Sequence, residues 1–146
     1  MSELMIKRVE KYNLLSLVSY LHVRFQVFAK EYKRGIFGEF FLEDFKGKHY
    51  IFLLGNKVIG VARTIDRGNT IELGRIAIRK EYRNQGYGKK FVNLLIDEVR
   101  NTETIKSISL VAAEQNLTKF YQRLGFVENG EVYFDNIIYI KMVREV

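Results

Sequence analysis

The chain of 146 residues contains no cysteine and no proline, and only two histidines, His22 and His49. Without cysteine there can be no disulfide scaffold, no thiolate metal site and no cysteine nucleophile. Two histidines so far apart in sequence are a poor basis for a metal centre, and no metal is expected. Residue counts alone leave a Ser-His-Asp triad open, but no nucleophile-elbow pattern accompanies one. No apolar run approaches the roughly 20 residues that span a bilayer. The opening Met1-Ser2-Glu3-Leu4 also lacks the basic-then-apolar layout of a signal peptide. The expectation is a soluble, cytoplasmic protein with no membrane partner. The absence of proline carries no functional conclusion.

What the chain does contain is a full core. Hydrophobic residues make up 47% and aromatics 14%, with nine Tyr and eleven Phe. Length and composition predict one domain over residues 1–146, with no linker, repeat or low-complexity tract. The formal net charge is +7, and its distribution is uneven. Arg75, Arg79, Lys80, Arg83, Lys89 and Lys90 fall in one short stretch opposed by Glu81 alone. Such a cluster suits an anionic partner, whether nucleic acid, an acidic protein or a phosphorylated small molecule, although a solvated basic surface would look the same.

Patterning predicts the order β-α-β-β-β-α-β-α-β-β. A short strand at Leu4–Glu10 precedes an amphipathic helix from about Asn13 to Glu31, marked by Leu14, Leu17, Val18, Leu21, Phe25 and Phe28 at helical spacing. Residues Tyr32 to Lys46, with glycines, aromatics and the acids Glu39, Glu43 and Asp44, read as a long loop or broken helix. Strands at His49–Leu54 and Val58–Asp66 are joined by a tight turn at Gly55-Asn56-Lys57. A strand at Thr70–Ile78, a helix at Tyr87–Arg100, a strand at Ile105–Ala113 and a helix at Leu117–Leu124 follow, the last stopped by Gly125. Phe126–Val127 and Tyr133–Met142 supply the final strands. The fold class is α/β, with a central mixed, mostly antiparallel sheet flanked by helices.

The segment from Glu72 to Lys90 carries the chemistry. A buried strand ends near Ile78, a helix begins near Gly86, and between them lie Arg83 and the pair Gly86-x-Gly88. A helix start presents free N–H groups and partial positive charge, and glycine lets backbone approach a bulky pyrophosphate. Lys89 and Lys90 in the first helical turn oppose the dipole unless an anion sits there, which favours phosphate binding over mere solubility. A dinucleotide fingerprint fails because Phe91 stands where a third glycine would be, and a Walker loop fails for want of Gly-Lys-Ser/Thr.

Arg83-Asn84-Gln85-Gly86-Tyr87-Gly88 resembles the acetyl-coenzyme A signature of the GNAT family of N-acetyltransferases, Arg/Gln-x-x-Gly-x-Gly/Ala. A second stretch, Phe120-Tyr121-Gln122-Arg123-Leu124-Gly125-Phe126, resembles that family's Phe/Leu-Tyr-x-x-x-Gly-Phe segment. The two occupy residues 72 to 126 with the strand before them, and the element order agrees over the whole chain. Residues Val23 to Glu31, the acidic loop ending in Asp44, Gly60-Val61-Ala62-Arg63, Leu73-Gly74-Arg75-Ile76 and the stretch Glu131 to Met142 are similar to the ElaA-like branch. Two departures stand out. Glu114 occupies a position seven residues before Tyr121 where an amide is usual, and Tyr139 stands where that branch often has histidine.

The resemblance implies a GNAT fold and an N-acetyltransferase that moves an acetyl group from acetyl-coenzyme A, its cosubstrate, to an amine. It further implies that the backbone of Ile76, Ala77 and Ile78 holds the pantetheine arm like an added strand. Arg83, Asn84, Gln85, Gly86, Tyr87, Gly88 and Lys89 would hold the pyrophosphate through backbone N–H groups; the alternative is an ordinary strand-to-helix turn. Asn116 is a coenzyme contact on this reading and equally a helix N-cap on another. Tyr121, beside the coenzyme's sulfur, is the candidate acid, or else a packed aromatic. Glu72 is the candidate base, or else an exposed strand residue, with Glu114 as its competitor. Gly74 could house a bulge that opens the sheet; since a bulge breaks strand parity, the face on which Glu72 lies is left open. Arg24, Glu39, Asp44 and Arg75 are candidates for shaping the acceptor pocket. Dimers are common in the family, so a homodimer is compatible with the chain. Three further functions compete. An autoinducer-synthase-like acyltransferase shares the Val-Arg-x-x-Val-Phe segment, but such enzymes generally lack the full loop signature. A basic nucleic-acid-binding module shows no recognised motif and is disfavoured. A coenzyme A binder without catalysis has the same sequence features as the enzyme.

Overall fold

The computed structural model describes residues 2–10, 13–31, 42–102, 104–112, 115–134 and 136–146. Apolar runs rich in Ile, Val and Phe become strands β1 (Leu4–Arg8), β2 (Lys48–Leu54), β3 (Lys57–Asp66) and β4 (Thr70–Ile78). They are joined by β5 (Ser107–Ala112), β6 (Val127–Phe134) and β7 (Ile137–Glu145). Helical periodicity becomes α1 (Leu14–Arg24), α2 (Tyr87–Arg100) and α3 (Gln115–Gln122). The strands form one seven-stranded sheet in the order β1-β2-β3-β4-β5-β7-β6. The β4–β5 pair is parallel and the other five neighbouring pairs are antiparallel, as the α/β reading with a mixed, mostly antiparallel sheet requires.

Each face of the sheet buries a different cluster. Under α2 and α3 lie Phe52, Leu73, Phe91, Leu95, Ile108, Leu110, Phe126 and Met142, with the Phe52 and Phe91 rings stacked at 4.5 Å. On the opposite face Tyr20 and Val23 of α1, with Val27 just beyond it, pack against Ile51, Val61 and Ala77. The amphipathic stripe of α1 is thus satisfied by the sheet, as a surface helix requires.

Several boundaries differ from the sequence reading. The first helix is α-helical only to Arg24, and Phe25–Glu31 continues as a π-helical stretch. The Phe25 N–H is shared between His22 O and Leu21 O where the α-helix ends. The predicted break between Val127 and Tyr133 does not exist. Gly130 (φ +102°) sits in a bulge between Glu128 and Glu131, so β6 runs unbroken and pairs with β7. The parallel strand starts at Ser107 rather than Ile105, and β7 extends beyond Met142 to Glu145. Finally, α3 begins at Gln115, so Asn116 lies inside its first turn and is not its N-cap.

The feature that positions the site is the junction of β4 and β5. Their parallel ladder holds Thr70↔Ser107, Ile71↔Ile108 and Glu72↔Ser109, pinned at its start by a 2.7 Å bond between the Thr70 and Ser107 hydroxyls. Beyond Glu72 the strands no longer pair. On the other side of β4, the register to β3 shifts between Val61↔Ala77 and Arg63↔Gly74, a bulge with Arg75 at φ +50°. The expected bulge at Gly74 is therefore present, and it coincides with the parting of the sheet.

Candidate active site

Backbone geometry comes first. From Leu73 to Ile78 the edge of β4 facing β5 carries no ladder, so it can accept an extended ligand as a strand accepts a neighbour. Ala77 is buried against α1, while Ile76 and Ile78 pack on the α2 side. After a single 3-10 turn at Lys80–Tyr82, the chain passes through two left-handed residues, Asn84 (φ +60°) and Gly86 (φ +81°), into α2. Gly86 is the N-cap and supplies no side-chain cap, and the first turn of α2 holds no acid. Its leading N–H groups are open to an outside acceptor. A Cβ on Gly86 would meet nothing within 4 Å, whereas one on Gly88 would touch the Phe120 ring at 3.7 Å.

The side chains of this loop hold its shape. Arg83 Nε donates to Ile78 O at 2.9 Å, and Gln85 Nε2 donates to Glu81 O at 3.0 Å. Tyr87 meets Tyr82 edge-to-face, and Lys89 and Lys90 are exposed at the helix start. Asn116 is exposed on α3. Tyr121 is 8% exposed and lies edge-on between Phe120 (5.1 Å) and Phe126 (5.8 Å). Its carbonyl accepts the Phe126 N–H at 3.1 Å while Gly125 N–H bonds Gln122 O at 3.0 Å, with Gly125 at φ +89°. This is a Schellman closure, and it is the reason the tyrosine and the Gly-Phe pair occur at fixed spacing.

Glu72 stands at the last rung of the β4–β5 ladder. Ile71 and Leu73 both enter the α2-side core, so alternation turns Glu72 toward the α1 side. Its carboxylate pairs with Arg67 Nε at 3.2 Å. The bulge flips the parity after Gly74, and Ile76 packs on the face opposite to Glu72. Glu114 and Glu39 lie outside the described residues.

A polar network on the α1 face was only partly visible in the sequence. Arg24 reaches Asp44 with both terminal nitrogens, at 3.1 and 3.2 Å, and Arg63 Nη1 reaches the same carboxylate at 2.8 Å. Arg24 Nη1 also donates to Tyr20 Oη at 3.1 Å, and Tyr20 Oη meets His49 Nδ1 at 2.6 Å. His49 Nε2 lies 2.9 Å from Asp44 O. A carbonyl can only accept, so Nε2 carries the proton, Nδ1 is bare, and the Tyr20 hydroxyl donates to it. Burial pushes the Tyr20 hydroxyl up to about 12. Burial also lowers His49, against the opposing effect of the Asp44 carbonyl. For Asp44, burial favours the neutral acid, but the hydrogen bonds from Arg24 and Arg63 outweigh it and hold the carboxyl below its ordinary range. Arg24 and Asp44, two of the proposed pocket residues, are thus brought together, and Arg75 lies over the Phe28 ring at 5.6 Å. Tyr20, His49 and Arg63 were given no role from sequence. The available signal was a charged residue inside the otherwise apolar run Val58–Ile65. Among the described residues no three His, Asp or Glu side chains cluster as metal ligands, and no helix is long and apolar enough to cross a membrane.

Comparison with known proteins points to one family. The model of the acetyltransferase (GNAT) family matches residues 14–126. A probable spermine N(1)-acetyltransferase of Bacillus subtilis subsp. natto is 33% identical over 108 residues, which are 64% of this chain and 71% of that protein. The crystal structure of Escherichia coli ElaA superposes with a TM-score of 0.79 at 21% identity, over 98% of this chain and 99% of that one. A GNAT family acetyltransferase from Elizabethkingia anophelis, solved with acetyl-CoA bound, gives a TM-score of 0.71 at 16% identity, over 100% of both chains. At such identities the structural likeness speaks for the fold.

Proposed function

The chain belongs to the GNAT family of acetyltransferases, and from that premise we propose that it moves an acetyl group from acetyl-coenzyme A to a primary or secondary amine by direct attack. The observation that supports this best is a coincidence in space along one stretch of chain. The unladdered edge of β4 leads directly into a loop with two left-handed residues and an uncapped helix start. The edge suits the amides of a pantetheine arm, and the helix start suits a pyrophosphate. Ile76, Ala77 and Ile78 serve the first, and residues Arg83 to Lys89 serve the second through backbone N–H groups. The Arg83 side chain braces the loop from behind, and Asn116 is assigned the outer end of the arm.

In the reaction the amine nitrogen forms a bond to the thioester carbonyl carbon, and the carbon–sulfur bond breaks. The departing thiolate takes a proton from the Tyr121 hydroxyl, and the amine's surplus proton leaves through water toward Glu72. Donation to the carbonyl oxygen falls to the free N–H groups of the β4 edge. Two curated Bacillus relatives are named for spermine or spermidine, which fits an amine acceptor. The test is release of free thiol from acetyl-coenzyme A in the presence of a panel of amines. Amine-dependent release supports the proposal. Coenzyme binding without release with any amine would leave a binding protein and end the catalytic reading.

A further inference from the structure

The two faces of the sheet are not equally covered. Helix α1 packs on β2, β3 and β4, and among the described residues no helix packs on the same side of β5, β7 and β6. Alternation identifies the side chains that stand on this open half. Ile140 and Met142 of β7 pack in the core under α2 and α3, so Lys141, Val143 and Glu145 turn the other way, as does Tyr139. Directly paired residues on neighbouring strands share a face. Val111 lies opposite Lys141, Val127 opposite Val143, and Val132 opposite Tyr139. Val111 is 47% exposed, Val127 65% and Val132 40%. β-Branched side chains from three adjacent strands thus meet water side by side, and a contiguous apolar surface of this kind marks a docking face.

Charge selects the occupant. Lys141 and Glu145 are both exposed, and neither makes an ion pair among the described residues. One cation and one anion leave β7 without net charge on this face, which suits neither a nucleic acid nor a polycation. Their placement is self-complementary, because each lies two residues from Val143. If two copies stack face to face about a two-fold axis that crosses β7 at Val143, the two β7 strands run antiparallel. Each Lys141 then stands over Glu145 of the other copy, and Val143 meets Val143. A two-fold axis along the strand would instead set Lys over Lys and Glu over Glu, which like-charge repulsion disfavours. Sheets stack about 10 Å apart with strands aligned within about 30°, a gap that lysine and glutamate side chains bridge from opposite sides. Three strands about 4.8 Å apart and the length of β7 give a footprint of roughly 14 by 30 Å. That lies at the lower end of specific interfaces, so the association should be reversible.

We infer that this face is a homodimer interface, with two copies packed sheet on sheet through β7 and two Lys141–Glu145 pairs flanking a central Val143 contact. The inference goes beyond acetyl transfer and does not rest on it. Sedimentation velocity of the wild-type chain across a micromolar concentration series tests it. The mass should rise from the 17.2 kDa of one chain toward twice that value. Lys141→Glu and Glu145→Lys each place two like-charge contacts in the interface, by symmetry, and each should weaken dimerisation by about 10-fold or more. The double reversal Lys141→Glu with Glu145→Lys restores both pairs and should restore the dimer. All three changes are at exposed side chains, and circular dichroism should show an unchanged fold. A wild type that stays monomeric throughout the series would overturn the inference and leave the face to a different partner. A dimer indifferent to both single reversals, or one that the double reversal fails to restore, would overturn it as well. None of these outcomes bears on acetyl-coenzyme A binding.

Discussion

Replacing Asp44 by Asn should cost this protein a large share of its stability, because one carboxylate neutralises two buried cations. The Arg24 side chain is 1% exposed and that of Arg63 is 8% exposed, and both contact Asp44 Oδ1, at 3.1 and 2.8 Å. Asparagine keeps the shape but removes the charge and turns one acceptor into a donor facing a guanidinium. Removing one partner of a buried pair costs about 3–5 kcal/mol, most of it from the charge left behind. Domains hold only about 5–15 kcal/mol in total, so the loss is a third or more of a typical reserve. In urea, with a slope of about 1–3 kcal/mol/M, the midpoint should fall by about 1–5 M at an unchanged slope. Glu72→Gln is the control. Its pair with Arg67 has side chains 38% and 29% exposed, and an exposed pair is worth about 0–1 kcal/mol. If Asp44→Asn behaves like Glu72→Gln in urea unfolding followed by circular dichroism, the network is not holding the α1 face, and the reasoning from burial is wrong.

Acid should weaken the same network by way of His49. Its folded form is held neutral, so between the ordinary value of 6.5 and the lower folded value the unfolded chain binds a proton that the native chain does not. Stability should therefore be complete above about pH 6.5 and decline as pH falls below it; thermal unfolding of His49→Gln should lack that slope. At lower pH, protonation of Asp44 should remove its contribution too, since its folded value is depressed and its stabilisation is present only above it. Tyr121→Phe should lower kcat by about 100-fold or more with the KM for acetyl-coenzyme A unchanged, because the ring and its edge-on contacts remain. An unchanged kcat in steady-state assays would return Tyr121 to the core as a packed aromatic.

Fold was legible wherever local chemistry and tertiary packing agreed. The strand at Thr70–Ile78 and the helix at Tyr87–Arg100 stand where the apolar pattern placed them, because each is bounded by glycine, asparagine or charged turns and buries a continuous apolar face. Legibility failed where a glycine has two readings. Gly130 looks like a turn in Val127-Glu128-Asn129-Gly130, yet the pairing of β6 with β7 absorbs it as a bulge. Asn116 looked like a cap because nothing local says whether a helix starts before or after it. The π-helical turn at Phe25–Glu31 has the same apolar spacing as an α-helix, so periodicity could not separate them.

The candidate site divides along the same line. Arg83, Gly86 and Tyr121 belong to contiguous motifs whose spacing is set by a loop and a helix closure, and such constraints are written locally. The Tyr20–His49–Asp44–Arg24–Arg63 network is assembled from α1, β2, β3 and the turn at Leu42–Phe45. Only the sheet order brings those residues together, and no single stretch of sequence carries it. Arg63 could be flagged as a charge in an apolar strand, but its partner could not be named.

The central claim is that the loop before α2 holds the coenzyme, and calorimetric titration with acetyl-coenzyme A tests it most directly. Wild-type protein should bind with micromolar affinity. Gly86→Glu places a negative charge at the uncapped helix start, in space that a Cβ enters without contact, and its left-handed φ adds only about 1–2 kcal/mol of backbone strain. The variant should stay folded and lose binding by about 10-fold or more, because its carboxylate competes for the same N–H groups. A folded wild type that does not bind acetyl-coenzyme A, or a variant that binds it equally well, would contradict the account.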